Sequence, residues 1–459
     1  MGLKTLFLIV DKRLSCWQDL TITKNGVLMA SKNATVRKPK IHTHEGAVAK
    51  HINPEQQLRR SVMSCLLFEK DFYEDGQSIA DRIKEFALLV KPEKVAAIAI
   101  EAKQKMKLRH VPLYLTVILC SRGYNVRKLV PQVVTRTDDM TELLSLYWNG
   151  GKKPLAKSLQ RGLGDAFRQF DEYQLAKYRG DKKSVKLKDV LKLCRPKPTD
   201  EAQSELWKRV VSSTLATPDT WEVAYSAAKT PEEKKAVWDR LVSTKKLGGL
   251  AVLRNIRNME QVGYDAKLAI KGINSQKLLP INFIKCAEIM PKYEPWIENK
   301  FMEIFTNKEK FPGKTILLVD VSGSMDTNRR SANAGGLAMI AREFFSDIEV
   351  FIFGDHLRQV PARRGFALRD AVKARNEGTN LGKAISEIDK NAYDRLIVIT
   401  DEQSRDNVSN PKGKAYMINV ACNRNGIGYG GNWMHIDGWS DKILDYIVEF
   451  EKKDGKIHD

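Results

Sequence analysis

The sequence predicts two architectures in one chain: a basic stack of short amphipathic helices, then a doubly wound α/β domain. Three observations predict this. Residues 46–310 place apolar residues at helical spacing and show no sustained alternation of period two. Residues 313–459 alternate short apolar runs with helix-like stretches, as strands buried on both faces of a parallel sheet do. The charge divides at the same point. The chain of 459 residues carries a net +21, yet residues 313–459 hold 21 Lys and Arg against 21 Asp and Glu. The entire excess therefore lies in residues 1–312.

The helical elements follow in order. From Ser78, the apolar residues Ile79, Ile83, Phe86, Ala87 and Val90 form one face. Leu155, Leu159, Ala166 and Phe170 form the stripe of a second helix, with Lys157, Arg161 and Arg168 largely off it. Further helices are predicted at 204–216, 220–229, 248–259, 274–289 and 294–306. One more begins at Thr230-Pro231-Glu232-Glu233, where Thr230 can cap, Pro231 suits the first helical position and Glu233 completes a capping box. Gly, Pro or Asx residues punctuate many of the boundaries. Antiparallel helix pairs joined by short turns make a solenoid. Residues 1–45 contain strand-like runs and a basic stretch, Lys32 to Lys40, and take no assigned fold. The division is thus an N-terminal segment, 1–45; a helical module, 46–312; and an α/β domain, 313–459.

In that last domain the strands are Thr315–Val319, Ile348–Phe353, Leu396–Thr400 and Ala415–Val420. Helices are predicted between and after them, at 333–345, 366–375, 380–389 and 440–452. Ligands of such sheets gather outside the carboxyl ends of the strands.

Composition excludes several classes. No run of about 18 apolar residues exists to span a membrane. The run Leu6–Val10 is too short for a secretory h-region and Asp11 breaks it. The six cysteines lie far apart with no C-x-x-C, which speaks against a disulfide framework or a zinc site and for a reducing, cytoplasmic setting. His42 and His44 read as loop surface. Lys and Arg neutralise phosphates and release counterions, so the one-sided charge points to a nucleic-acid partner for residues 1–312.

Chemistry concentrates where the first α/β strand ends. Asp320-Val321-Ser322-Gly323-Ser324 puts one carboxylate and two hydroxyls in a tight turn at the carboxyl edge. A later strand ends in Thr400-Asp401, and Thr379 lies at the mouth of the helix between them. Hard oxygen donors with low total charge suit Mg²⁺ or Mn²⁺ better than Ca²⁺, which takes more oxygens and more carboxylates. Such a metal would keep an open position for an anionic ligand, such as a partner's carboxylate. Hydrolase readings lack their parts. No second Asp stands two residues after Asp320, no G-x-S-x-G elbow exists, and no Walker A motif is present. The chain is therefore expected not to be an enzyme.

The D-x-S-x-S turn with Thr379 and Asp401 resembles the metal-ion-dependent adhesion site of von Willebrand A domains. That resemblance implies direct coordination by Ser322, Ser324 and Thr379, with Asp320 and Asp401 bound directly or through water.

The helical part carries a second resemblance. Gly162-Leu163-Gly164-Asp165-Ala166-Phe167, the Lys177-Tyr178 pair and the ending Arg195-Pro196-Lys197-Pro198 are similar to the TROVE module of the Ro autoantigen family. Gly249–Ile256 resembles another segment of it. The order also agrees, with a TROVE module followed by a von Willebrand A domain. The resemblance implies a ring of HEAT-like helical repeats that binds Y-like small non-coding RNA outside and single-stranded 3′ ends of misfolded RNA in its hole. Carried over by motif, Lys177 is the K-Y lysine, and Arg195 stands before K-P where relatives have histidine. Arg can still contact phosphate and stack there. Lys182 and Lys183 match a further basic contact, and Arg161 and Arg168 complete the expected RNA surface. An exoribonuclease, or another protein offering an acidic residue to the metal, is an expected partner of a monomeric chain. The alternative is a metal-dependent protein-interaction scaffold without specific RNA binding.

Overall fold

The structure, a computed structural model, describes residues 39–63, 65, 67–68, 73–178, 184–306, 308–326, 330–440 and 442–454. The chain divides into two compact units, Met1–Lys40 and Ile41–Asp459. The second holds every element named below; nearly all of residues 1–45 expected as a separate segment lie outside the described residues.

The helices are short and follow one another closely. In the first half they are α1 (Pro54–Met63), α2 (Gly76–Leu89), α3 (Pro92–Gln104), α4 (Val111–Ser121), α5 (Val130–Val133), α6 (Thr137–Tyr147), α7 (Lys157–Phe167), α8 (Glu172–Lys177), α9 (Leu187–Cys194) and α10 (Glu201–Ser212). In the second half they are α11 (Trp221–Ala227), α12 (Pro231–Ser243), α13 (Gly249–Gln261), α14 (Ala266–Lys271), α15 (Pro280–Ile289) and α16 (Glu294–Met302). Helix α3 packs on α4 and α5, α4 on α2 and α6, α7 on α5 and α9, and α13 on α14 and α15. Each helix touches mainly near neighbours in sequence, so the stack grows in one direction, as a repeat solenoid does.

Local rules explain many boundaries. Thr230 accepts from the Glu233 backbone N–H at 3.2 Å while the Glu233 carboxylate accepts from the Thr230 N–H, closing the predicted capping box at the start of α12. Such a cap contributes about 1 kcal/mol. Three expectations are corrected. The helix predicted over 274–289 is a 3₁₀ turn, Ser275–Lys277, and a separate α15. Pro280 lacks the N–H that a continuing ladder needs and fits only the first turn. The Leu155–Phe170 stripe outruns its helix: Leu155 precedes α7 and Phe170 follows it, just before Asp171 caps α8. Val48–Ala49 (β2), inside the range read as helical, pairs instead with Ile41–His42 (β1) as a small antiparallel hairpin.

The α/β domain comprises β3 (Phe311–Asp320), α17 (Arg330–Phe344), β4 (Phe345–Phe353), β5 (Leu357–Val360), α18 (Gly365–Ala371), α19 (Leu381–Ile388), β6 (Arg395–Thr400), β7 (Lys414–Asn419), β8 (Trp433–Asp437) and α20 (Lys442–Asp454). The sheet order is β5-β4-β3-β6-β7-β8. All neighbouring pairs run parallel except β4 and β5. The antiparallel β5 and the half-buried β8 were not legible as apolar runs, because each sits at an edge and buries less of its surface.

The helical arc falls into two cores. One runs from Leu58 to Leu215 and takes in Cys422 of the α/β domain. The other joins Trp238–Phe301 to one face of the sheet without a break. Both ends of the arc abut the α/β domain: α1 meets β8, while α15 and α16 meet α17 and α18. The α/β domain thereby closes the helices into a ring.

The closure at α1 is ionic and buried. Arg60 is fully enclosed; its guanidinium donates to Asn423 O at 2.5 Å and Asn425 O at 2.9 Å and lies 3.1 Å from Glu402. His435 also bonds Glu402. Burial pushes the Glu402 carboxyl up, but the charges of Arg60 and then His435 more than offset it, taking it down to about 2. Removing one partner of such a pair leaves an uncompensated buried charge. Arg60→Met is expected to lower stability by about 3–5 kcal/mol, and Glu402→Gln in the same chain should restore part of it. Denaturant melts of the single and double variants check this; a loss under ~1 kcal/mol for Arg60→Met would contradict it.

Candidate functional site

Strand order determines where chemistry can collect. The chain steps outward from β3 to β4 and β5, then returns to the other side of β3 for β6, β7 and β8. The order reverses between β3 and β6, and the crevice at such a switch point is where doubly wound sheets bind ligands. The register pairs Val319 with Ile399, so Asp320 ends β3 beside Thr400 and one residue from Asp401.

The local bonds fix each group. Asp320 is buried; its Oδ2 accepts from the Thr400 hydroxyl at 2.6 Å and its Oδ1 from the Ser322 N–H at 2.9 Å. The Ser322 and Ser324 hydroxyl oxygens stand 3.2 Å apart. The Gly323 N–H donates to Glu377 O at 2.9 Å, holding the segment that leads to Thr379 against this turn. Thr379 is buried, and its carbonyl accepts from the Arg405 N–H at 2.8 Å. Asp401 Oδ1 accepts from the Gln403 N–H at 3.1 Å. Its Oδ2 accepts from Arg330 at 2.9 Å, and the same guanidinium nitrogen donates to Ser324 O at 3.0 Å. The five expected residues, Asp320, Ser322, Ser324, Thr379 and Asp401, therefore share one edge of the sheet.

This donor set fits a small divalent cation. Burial, and then the charge of Asp401, push the Asp320 carboxyl well above the usual carboxylate range. The edge is thus short of positive charge even with Arg330 beside Asp401. Adjacent ligands of an octahedral Mg²⁺ lie about 3 Å apart, which the two serine hydroxyls nearly match. Among the described residues, no three carboxylate, imidazole or thiol groups converge as a metal cluster, so the hydroxyls are essential to the set.

A second site lies on the helical part. A cleft of about 390 Å³ is lined by Arg127, Arg161, Asp165, Arg168, Arg195 and Lys197, with Gly164 and Cys194 in its wall. Five basic side chains thus face one carboxylate. Asp165 is already taken by Arg127 at 2.6 Å and Arg168 at 2.9 Å. Among the described residues, Arg161 and Arg195 make no ion pair. Arg195 ends α9 in the left-handed region, at φ 45°. That conformation costs a residue with a Cβ roughly 1–2 kcal/mol, and such strain often marks a working surface. The Pro196 that follows prevents the helix from continuing.

The structure gathers Arg161, Arg168 and Arg195 and leaves out Lys177. Lys177 ends α8, with its ammonium 5.7 Å from the Tyr173 ring and 5.5 Å from the Tyr178 ring. Sequence spacing along one motif does not fix which faces of successive helices meet. Lys182 and Lys183 lie outside the described residues. Sequence reasoning missed Arg127 and Lys197 in the cleft, and Arg330 at the metal edge. Arg330 left one local signal: a basic residue opening a helix opposes the macrodipole, and a broken local rule commonly marks a site.

These features define a class of protein: a basic helical ring closed by a doubly wound α/β domain, with an arginine-lined cleft on the ring and an oxygen-rich edge on the sheet. The sequence model of one family, described as TROVE domain, matches residues 25–214 and 208–293. That is well over half of the chain, and the protein belongs to this family, whose members are RNA-binding components of ribonucleoproteins. Its fold is similar to the crystal structure of the Ro (RSR) protein of Deinococcus radiodurans, with a TM-score of 0.53 and 14% identity, over 84% of this chain and 97% of that one. The match spans both parts, so the helical stack and the C-terminal sheet domain share that fold. Among the described residues, no helix is long and apolar enough to cross a membrane.

Proposed function

We propose that the chain is a non-catalytic scaffold that holds Y-like small non-coding RNA on its basic ring and takes the single-stranded 3′ ends of misfolded RNA, working as a monomer in the cytoplasm. The observation that carries this reading is the cleft in which, among the described residues, Arg161 and Arg195 stand without carboxylate partners beside three further basic side chains. Arginines left unpaired at a surface are ready to contact phosphate, which fixes an RNA in register without reading its bases.

At the sheet edge, Asp320, Ser322, Ser324, Thr379 and Asp401 would hold Mg²⁺ or Mn²⁺. The ion would offer an open position to an acidic group of a protein partner, an exoribonuclease being the expected kind. In this reading the residues around it position and bind the ion and its acidic partner. Arg330 keeps Asp401 oriented, and Thr400 orients Asp320.

Binding of a small structured RNA to the full chain, measured across salt concentrations, tests the RNA half. The logarithm of the binding constant should fall linearly with the logarithm of salt, by about 0.7–0.9 for each phosphate contacted. Binding indifferent to salt would sink this reading and favour a protein-interaction scaffold. The full chain is the proper material, because the second helical core is continuous with the sheet and a cut at residue 312 would open it.

A further inference from the structure

The metal edge already has a neighbour of the chemistry it is expected to bind. Residues 41–50 lie along the loops that follow β6 and β7. The Thr43 hydroxyl donates to Ser404 O at 2.7 Å, the His44 N–H to Gln403 at 2.8 Å, and the Val48 N–H to Asn407 at 3.2 Å. Asn425 donates to His42 O at 2.9 Å, and the Lys50 N–H to Gly426 O at 3.0 Å. This strap is therefore bonded to the segment that begins two residues after Asp401.

At the tip of the strap stands Glu45. The Tyr73 hydroxyl donates to its Oε1 at 3.0 Å. The same hydroxyl lies close to the side chain of Ser324, one of the expected metal ligands. His44 stacks flat on the Tyr73 ring, with centroids 4.3 Å apart and planes 3° from parallel, which holds that ring in place. The other carboxylate oxygen, Oε2, lies 3.6 Å from Arg405. Arg405 packs against Gly378, next to Thr379, and its backbone N–H bonds Thr379 O. One oxygen of Glu45 is thus tied to the Ser324 side of the ligand set and the other to the Thr379 side. A single carboxylate of this chain is thus held between two side chains that border the expected ligands.

We propose that Glu45 is a built-in occupant of the metal edge: an intramolecular carboxylate, held by Tyr73 and Arg405, that stands where a partner's acidic group must bind and has to be displaced for that binding. Carried on a docked strap, it is present at high effective concentration and needs no ordering at the moment of contact. An incoming carboxylate then binds only to the fraction of molecules in which the strap has let go. A strap closed about nine-tenths of the time weakens an entering ligand about tenfold. This inference rests on the metal reading above and adds that access to the metal is controlled in cis.

The test uses the full chain loaded with Mn²⁺ and acetate as the carboxylate probe. Mn²⁺ binding is followed by electron paramagnetic resonance, and acetate binding by its effect on water proton relaxation at the bound ion. Glu45→Gln keeps the shape of the side chain and a hydrogen-bond acceptor for Tyr73; Glu45→Ala removes both. Both variants are expected to bind Mn²⁺ within about threefold of wild type and to take up acetate about tenfold more tightly. Equal acetate affinity in wild type and both variants would overturn the inference while leaving the metal reading intact. Loss of Mn²⁺ binding in a folded Glu45→Gln variant would also overturn it, since Glu45 would then be a required ligand and not a displaceable one. Wild type that binds no Mn²⁺, or binds it undiminished after Asp320→Ala, would remove the metal reading and this inference together.

Discussion

Asp320→Ala is expected to cost at least ~100-fold in Mn²⁺ or Mg²⁺ affinity, since it removes one of two carboxylates from a set otherwise made of hydroxyls. Calorimetric titration of the wild type and variant measures this directly. RNA affinity should stay within about twofold, because the arginine cleft draws on α7, α9 and the turn before α5, and these elements pack mainly on other helices rather than on β3. A larger loss of RNA affinity in a folded variant would show that the buried closure around Arg60 and Glu402, next to Asp401, couples the two sites. The isosteric Asp320→Asn carries a further expectation for the metal-free protein. The folded state holds the Asp320 carboxyl at about 7, against 3.8 for an unperturbed one, mainly through burial and the charge of Asp401. Because the raised group resists ionisation, wild type loses stability as pH rises from near 4 to near 7. The asparagine variant should therefore melt higher than metal-free wild type at neutral pH, and the gap should close toward pH 4. Added Mg²⁺ should raise the melting temperature of wild type alone. A gap that is constant with pH would contradict this origin.

Arg161→Ala combined with Arg195→Gly is expected to weaken RNA binding on the order of 10–100-fold near physiological salt, as two charge-assisted phosphate contacts are lost. The salt slope should fall by about 0.7–0.9 for each. The loss should be similar for unrelated RNA sequences, because phosphate contacts carry little base information. Stability should behave differently from binding. Arg195 sits at φ 45°, a conformation glycine adopts without a Cβ penalty. The gain from relieved strain roughly cancels the entropy cost of glycine, so the melting temperature should hold or rise slightly. Filter binding at several salt concentrations and a thermal melt on the same sample read both halves. Unchanged affinity would show that the cleft is a solvated surface, and a drop in melting temperature would show that Arg195 supports the fold.

Much of this protein was legible from local pattern. The buried strands β3, β4, β6 and β7 announced themselves as continuous apolar runs, because a strand covered on both faces has no polar side to show. The helices showed their apolar faces, and Thr230 with Glu233 marked one start to the residue. The metal-type edge could be assembled because each of its residues closes a strand or opens a helix, and the ends of parallel strands share one side of a sheet. The charge split put the basic surface in the first two-thirds of the chain, since net charge needs no folding to be counted.

Tertiary structure decided the rest. No spacing along the chain could bring Arg127 and Lys197 to Arg161, or separate Lys177 from them, because the facing of successive helices depends on how α5, α7 and α9 pack. Arg60 reads as an ordinary exposed position on an amphipathic helix, yet it is enclosed by loops more than 360 residues away. Glu45 and Tyr73 carry no motif, and their meeting follows only from the docking of the strap. The sequence by itself determined the fully buried strands and several helix starts, since hydrophobic period, caps and breakers act over a few residues. Which ends meet, and which charges are buried together, is set by contacts between segments far apart in the chain, and short-range pattern holds no record of those.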